Sequence, residues 1–91
     1  MEPQETRPGE VTIRDPEDLG KLLRSQRNAL GLTLEEASGR MGVSPRLLLE
    51  LEHGRRGVRI DTVIRLIQTL GLDLVVRTRA RHALPPERGP R

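Results

Sequence analysis

The stretch TLEEASGRMGVSPRLLLELEHG, residues 33–54, decides the fold of this chain, because it encodes two short helices joined by a tight turn. Thr33 and Glu36 have the spacing of a capping box, in which each side chain accepts a hydrogen bond from the other residue's backbone N–H. The apolar face of this first helix ends before Gly42. Glycine is favoured there because a helix C-terminus often requires a positive φ.

The second helix of this stretch begins with two residues that are typical of a helix start. Ser44 is a good N-cap, and Pro45 takes the first helical position, where its missing N–H costs nothing. Gly54 marks the end of the helix. Its predicted buried stripe consists of Leu47, Leu48 and Leu51.

Two short helices around a glycine-containing turn predict a helix-turn-helix, whose second helix enters the DNA major groove. An ordinary αα-hairpin has the same spacing, so the spacing leaves both interpretations open. In addition to the spacing, the residue types in this stretch resemble those of the Cro and phage-repressor (XRE) family. This resemblance rests on T-x-E-E-x-[AS]-x-x-[ML]-G-V-S over residues 33–44 and on L-x-x-L-E-x-G over residues 48–54.

On the helix-turn-helix interpretation, the leading positions of the second helix face the DNA bases. Arg46 is the strong base reader because a guanidinium binds guanine through two hydrogen bonds. Glu50 either accepts from cytosine N4 or orients Arg46, while Leu49 offers apolar contact to a thymine methyl group. We therefore predict base contacts by Ser44, Pro45, Arg46, Leu49 and Glu50.

The loop RRGVR, residues 55–59, is either a solvated polar loop or a clamp on DNA phosphates. The resemblance favours the clamp, since members of the family place basic residues here beside the DNA backbone. Phosphate contacts supply affinity and register but no sequence choice. The predicted phosphate contacts are Thr33, Arg55, Arg56 and Arg59.

The segment Asp15-Pro16-Glu17-Asp18 is a strong helix start, with a cap, a proline and acids at the positive end of the helix dipole. This helix is predicted to run to about Leu30, with Gly31 as its stop, and its apolar face is Leu19, Leu22, Leu23 and Leu30. Arg27 lies within or beside that face. The family resemblance implies that Arg27 forms a mostly buried structural ion pair with Glu52.

A fourth helix is predicted from Ile60 to Leu70, after which β-favouring residues alternate approximately over residues 72–79. The resulting fold class is all-α: a lambda-repressor-like domain of four to five helices with a short C-terminal β-strand that pairs across a homodimer. The predicted boundaries are a flexible acidic arm at 1–14, the DNA-binding domain at 15–79 and a disordered basic tail at 80–91. The pairing residues of the strand are Leu72, Leu74, Val75 and Val76.

Composition restricts the function further. The 91 residues contain no cysteine and no aromatic residue, which argues against disulfides, thiolate metal sites and modules that stack single-stranded bases. The net charge is +3, but eight bases against four acids fall within residues 19–60, which suits a polyanionic partner. The alternative explanation for this excess of basic residues is a GC-rich coding sequence, since fifteen of the sixteen basic residues are arginine.

Neither catalysis nor a cofactor is expected. The histidines, His53 and His82, belong to no set with metal-ligand spacing, and no serine has a plausible base partner. No apolar run is long enough to span a membrane, and the N-terminal stretch is acidic rather than signal-like, so we expect a cytoplasmic protein.

Residues 43–54 and 61–76 narrow the resemblance to the HipB-like group of antitoxins, which are encoded beside HipA-type kinase toxins. This resemblance implies a dimeric, sequence-specific repressor that binds double-stranded DNA at a palindromic operator. It also implies that the protein neutralises a HipA-like toxin and represses the operon encoding both. The alternative is a toxin-neutralising protein-interaction module that binds DNA weakly or not at all.

Overall fold

The computed structural model describes residues 8–78, and within that range the chain forms four α-helices. Their bounds are α1 Pro16–Ala29, α2 Leu34–Met41, α3 Pro45–Glu52 and α4 Ile60–Thr69. The predicted all-α architecture is therefore confirmed, with four helices and no fifth in the described part of the chain.

Local capping interactions start α1, α2 and α3 where the sequence predicts, whereas α4 begins without a side-chain cap. Both halves of the capping box are present: Thr33 Oγ1 accepts from Glu36 N at 3.0 Å, and Glu36 Oε1 accepts from Thr33 N at 2.8 Å. Ser44 Oγ accepts from Leu47 N at 3.0 Å, and Asp15 caps α1 in the same way. Each cap satisfies a backbone donor that the first turn of a helix leaves without an intrahelical partner.

The core is entirely aliphatic, as a chain without aromatic residues requires. All four helices or their C-caps contribute to it, and its buried members are Leu23, Ala37, Met41, Leu48, Leu51, Leu66, Ile67 and Leu70. Leu30, predicted on the apolar face of α1, is instead 49% exposed. It follows the last helical residue as the C-cap, at the very end of α1.

The contact between α1 and α3 depends on Gly20. An added Cβ at this position would lie 2.5 Å from the carbonyl oxygen of Leu51 and 2.6 Å from that of Glu52. Such distances are shorter than van der Waals contact, so only glycine lets the two helix backbones approach this closely. Farther along α1, the same packing brings Arg27 against Glu52, and Arg27 Nη1 also donates to the carbonyl oxygen of Leu32 at 3.0 Å.

The predicted C-terminal strand is not formed by the single chain, since residues 72–78 lack strand hydrogen bonding and no strand occurs within residues 8–78. A strand requires a neighbouring segment that completes its ladder of backbone hydrogen bonds, and within residues 8–78 no such ladder is formed. Leu72 packs against the core, whereas Val76 is 94% exposed. Pairing of this segment across a homodimer remains a prediction.

The segment that precedes α1 lies near the C-terminal segment, because Glu10 Oε1 and Arg77 Nη1 are 2.6 Å apart. Residues 1–7 of the predicted flexible arm at 1–14, and the whole predicted disordered tail at 80–91, lie outside the described residues. The flexibility of residues 8–14 stays a prediction. Over residues 8–78, no helix is long and apolar enough to cross a membrane.

Candidate nucleic-acid interface

The turn between α2 and α3 is set by backbone hydrogen bonds. Gly42 adopts a φ of +74°, and Val43 N donates to the carbonyl oxygen of Ser38 at 3.1 Å, which closes the end of α2. From α4, Arg65 Nε donates to the carbonyl oxygen of Met41 at 3.2 Å. This side chain satisfies a helix-terminal acceptor and ties the turn to the helix behind it.

The α3 helix is buried on one side and open on the other. Its inner side contributes Leu48, Leu51 and Glu52 to the interior. Its outer side carries the residues predicted to contact bases, all exposed except the half-buried Glu50: Ser44, Pro45, Arg46, Leu49 and Glu50. The fold therefore places these five residues along one accessible edge of α3.

Glu50 holds two arginines at once. Its Oε2 lies 3.3 Å from Arg46 Nε, one helical turn earlier, and its Oε1 lies 2.6 Å from Arg55 Nη1 in the loop after α3. Glu50 and Arg55 are also joined through their backbones, because Arg55 N donates to the carbonyl oxygen of Glu50 at 3.0 Å. A carboxylate occupied in this way is better suited to orienting Arg46 than to accepting from a base.

The two other loop arginines also have acidic partners. Arg56 Nη2 lies 3.3 Å from Glu17 Oε1, and Arg59 contacts both carboxylate oxygens of Asp61 at 3.2 and 2.9 Å. All four side chains are at least half exposed. In the free chain, each of the three predicted clamp arginines is therefore paired with a carboxylate.

Thr33 is exposed at the start of α2. Its hydroxyl oxygen accepts from the backbone of Glu36, but a hydroxyl also carries one proton that it can donate. The Glu36 carboxylate is within reach of this proton, so a phosphate oxygen would compete with Glu36 for it. Helix N-termini also favour anions, because their backbone N–H groups and dipole are positive.

Other kinds of site find no support in the described residues. Residues 8–78 contain no group of three His, Asp or Glu side chains that could hold a metal ion. His53 Nδ1 lies 2.8 Å from the carbonyl oxygen of Leu49, a local contact at the end of α3. His82 lies outside the described range.

Sequence reasoning did not assign Glu17, Asp61 or Arg65 to this site. The sequence indicates Glu17 only as an acid in the first turn of α1, and Glu17 is 39 residues from Arg56. No local pattern indicates such a pair. The Asp61 contact is different, since its two-residue spacing from Arg59 across a helix start was visible in the sequence.

Comparison with known proteins agrees with this geometry. The family model described as a helix-turn-helix domain matches residues 18–80. The uncharacterized HTH-type transcriptional regulator y4mF of Sinorhizobium fredii is 36% identical over 62 residues, covering 68% of this chain and 82% of that protein. A second regulator of this type from the same organism, y4dJ, is 40% identical over 62 residues, covering 64% of this chain and 80% of its own length.

A solved structure shares the fold. The crystal structure of the clp gene regulator ClgR from Corynebacterium glutamicum superposes with a TM-score of 0.61 at 39% sequence identity. The match covers 65% of this chain and 76% of ClgR. The chain belongs to the helix-turn-helix domain family, as an XRE-like helix-turn-helix protein.

Proposed function

We propose that this protein is a dimeric transcriptional repressor that binds double-stranded DNA in a sequence-specific manner. The observation that carries the proposal is the placement of α3, whose inner side is buried while Arg46 and Glu50 lie on its open edge beside the arginine-containing loop. Similarity to proteins named as transcriptional regulators supports the same function.

In this proposal, base reading depends on Arg46. Its side chain is 88% exposed, and Glu50 contacts Nε, which leaves the terminal nitrogens free to reach guanine O6 and N7. Leu49 packs against a thymine methyl group at a neighbouring base pair. Ser44 and Pro45, at the leading end of α3, contact the adjacent base edges.

Affinity and register come from the DNA backbone. Arg55, Arg56 and Arg59 bind phosphates from the loop, and Thr33 binds a phosphate from the start of α2. Counterions released by these contacts drive binding to any duplex, so affinity falls steeply as salt rises. The contacts position α3 but do not select a sequence.

The proposed dimer uses the C-terminal segment. Leu74, Val75 and Val76 are exposed aliphatic side chains, an arrangement that favours association with another apolar surface. Antiparallel pairing of residues 72–79 with the same segment of a second copy makes a two-fold, self-complementary contact. Such a dimer holds two α3 helices at a fixed separation and suits a palindromic operator with half-sites about 34–36 Å apart.

The finer proposal is that the repressor is an antitoxin. It rests on the resemblance of residues 43–54 and 61–76 to HipB-like proteins, whose partners are HipA-like kinase toxins. We propose that the protein binds such a toxin and represses the operon that encodes both. Co-purification with the product of a neighbouring kinase-like gene tests this proposal, and a neighbouring gene of another kind contradicts it.

A mobility-shift assay tests the DNA-binding proposal. The duplex is the region upstream of the protein's own gene, and the control is a duplex of the same length and composition in scrambled order. We expect a specific complex on the upstream duplex that survives an excess of the scrambled one. Equal affinity for both duplexes contradicts sequence-specific repression and favours the protein-interaction alternative.

A further inference from the structure

Glu17 reaches from the first turn of α1 to the loop between α3 and α4. Its Oε1 lies 3.3 Å from Arg56 Nη2. The aliphatic stem of the Glu17 side chain (Cβ and Cγ) covers the buried Gly54, where an added Cβ would lie 2.9 Å from Glu17 Cγ. The carboxylate is therefore positioned by packing at one end and by the ion pair at the other.

We propose that Glu17 sets the affinity of this protein for DNA by competing with phosphate for Arg56. This inference rests on the proposed function. Carboxylate and phosphate both bind the planar fork of a guanidinium, so Arg56 must release or share Glu17 when it contacts the DNA backbone. In addition, a carboxylate left beside a phosphate repels it. Both effects weaken binding to every duplex, whatever its sequence.

Glu17 differs from the other two acids that hold the loop arginines. Glu50 belongs to α3, which carries the predicted base contacts, and Asp61 also accepts a hydrogen bond from Thr62 N in the first turn of α4. A change at either acid would alter more than a phosphate contact. Glu17 lies on a separate helix, so its removal changes the charge at Arg56 while leaving α3 and the loop sequence intact.

The expected size of the effect follows from the exposure of the pair. Glu17 and Arg56 side chains are 51% and 69% exposed, and such pairs change an equilibrium constant by about 1.4- to 5-fold. A dimer that uses both copies multiplies the two effects, which gives a gain of about 2- to 25-fold in duplex affinity. The gain should diminish as salt rises, because exposed charges are screened.

The test compares the full-length protein with Glu17→Gln, Arg56→Gln and the double variant, using fluorescence anisotropy on the upstream and scrambled duplexes. Glutamine keeps the stem of Glu17 over Gly54, so packing is preserved, and circular dichroism checks the fold of each variant. We expect Glu17→Gln to bind both duplexes more tightly by the same factor. In the Arg56→Gln background, the same change should have a clearly smaller effect, because only the repulsion between the carboxylate and phosphate remains.

The Arg56→Gln background is the matched control for net charge. An equal gain in both backgrounds would show a general charge effect and overturn the proposal, as would no gain with Arg56 intact. Binding without preference for the upstream duplex contradicts sequence-specific repression but leaves the competition measurable on either duplex. A protein that binds neither duplex contradicts both proposals.

Discussion

Glu52 is shielded from water by Arg27, its partner across the α1–α3 contact. The two carboxylate oxygens of Glu52 accept from Arg27 Nε at 2.7 Å and Nη2 at 3.0 Å. The side chain of Glu52 is 2% exposed and that of Arg27 is 14% exposed. The hydrogen bonds to Glu52 raise the pKa of Arg27, although partial burial opposes the rise. The pair joins α1 to the end of α3, the helix proposed to read DNA.

Replacing one partner of this ion pair should destabilise the fold more than replacing both. Arg27→Met and Glu52→Leu should each cost about 3–5 kcal/mol in the free energy of unfolding, because each leaves an uncompensated charge in a poorly solvated site. The double variant should recover much of the loss. Urea denaturation of the four proteins measures this coupling, and additive losses would show that the two residues act independently.

Two glycine substitutions should have opposite effects. Gly20→Ala places a Cβ against the carbonyl oxygens of α3 and should destabilise the fold by about 1–3 kcal/mol. Gly39→Ala on α2 meets nothing within 4 Å and should stabilise it by about 0.5–1 kcal/mol, because alanine favours helix. Thermal denaturation compares the two variants. A tolerated alanine at position 20 would contradict the close helix approach described above.

Arg46 and Arg55 should affect DNA binding differently. Arg46→Ala should cost about 1–3 kcal/mol at a specific site and relax base choice there. Arg55→Ala should weaken binding to all duplexes alike and reduce the log–log salt slope by up to about 1.8 for a dimer with two lost phosphate contacts. Anisotropy titrations at several salt concentrations separate these effects. Unchanged specificity in Arg46→Ala would exclude it as the base reader.

Truncation should separate folding from assembly. A chain ending at Leu72 retains the side chain that packs on the core and should stay folded, but it should be monomeric because Leu74, Val75 and Val76 are removed. Deletion of residues 80–91 alone should leave the dimer intact. Sedimentation equilibrium distinguishes the two forms, and a dimeric 1–72 chain would overturn the proposed strand pairing.

The capping box should make stability depend on pH. Hydrogen bonds from the backbone and the hydroxyl of Thr33 lower the pKa of Glu36 below its usual value. Its contribution is therefore present above the unfolded-state pKa of about 4.3 and is lost as pH falls through the lower folded-state pKa.

The test is to measure the free energy of unfolding against pH for the native protein and Glu36→Gln. Glutamine keeps a side-chain oxygen that can cap but does not titrate, so the two curves should converge as pH falls through the lowered folded-state pKa of Glu36. The control Glu35→Gln changes an exposed acid in the same helical turn outside the capping box. Parallel curves for the native protein and Glu36→Gln would contradict the linkage.

The helices and their ends follow from the sequence because the interactions that set them are local. Thr33 and Glu36, or Ser44 and Pro45, act within one helical turn, so their spacing alone predicts where a helix begins. The residues on the open edge of α3 are predicted from sequence in the same way. The helical period of α3 separates Leu48 and Leu51 on the inner side from Arg46 on the open edge.

The tertiary structure alone decided which helix surfaces meet and which charges pair across them. The approach of Gly20 to Leu51 and the contact of Glu17 with Arg56 join residues more than thirty positions apart, and neither has a local signal. A helical pattern specifies the buried face of each helix but not how two helices cross. Residues 72–78 show the same limit, because their β-favouring residues form a strand only when a partner completes the hydrogen bonds.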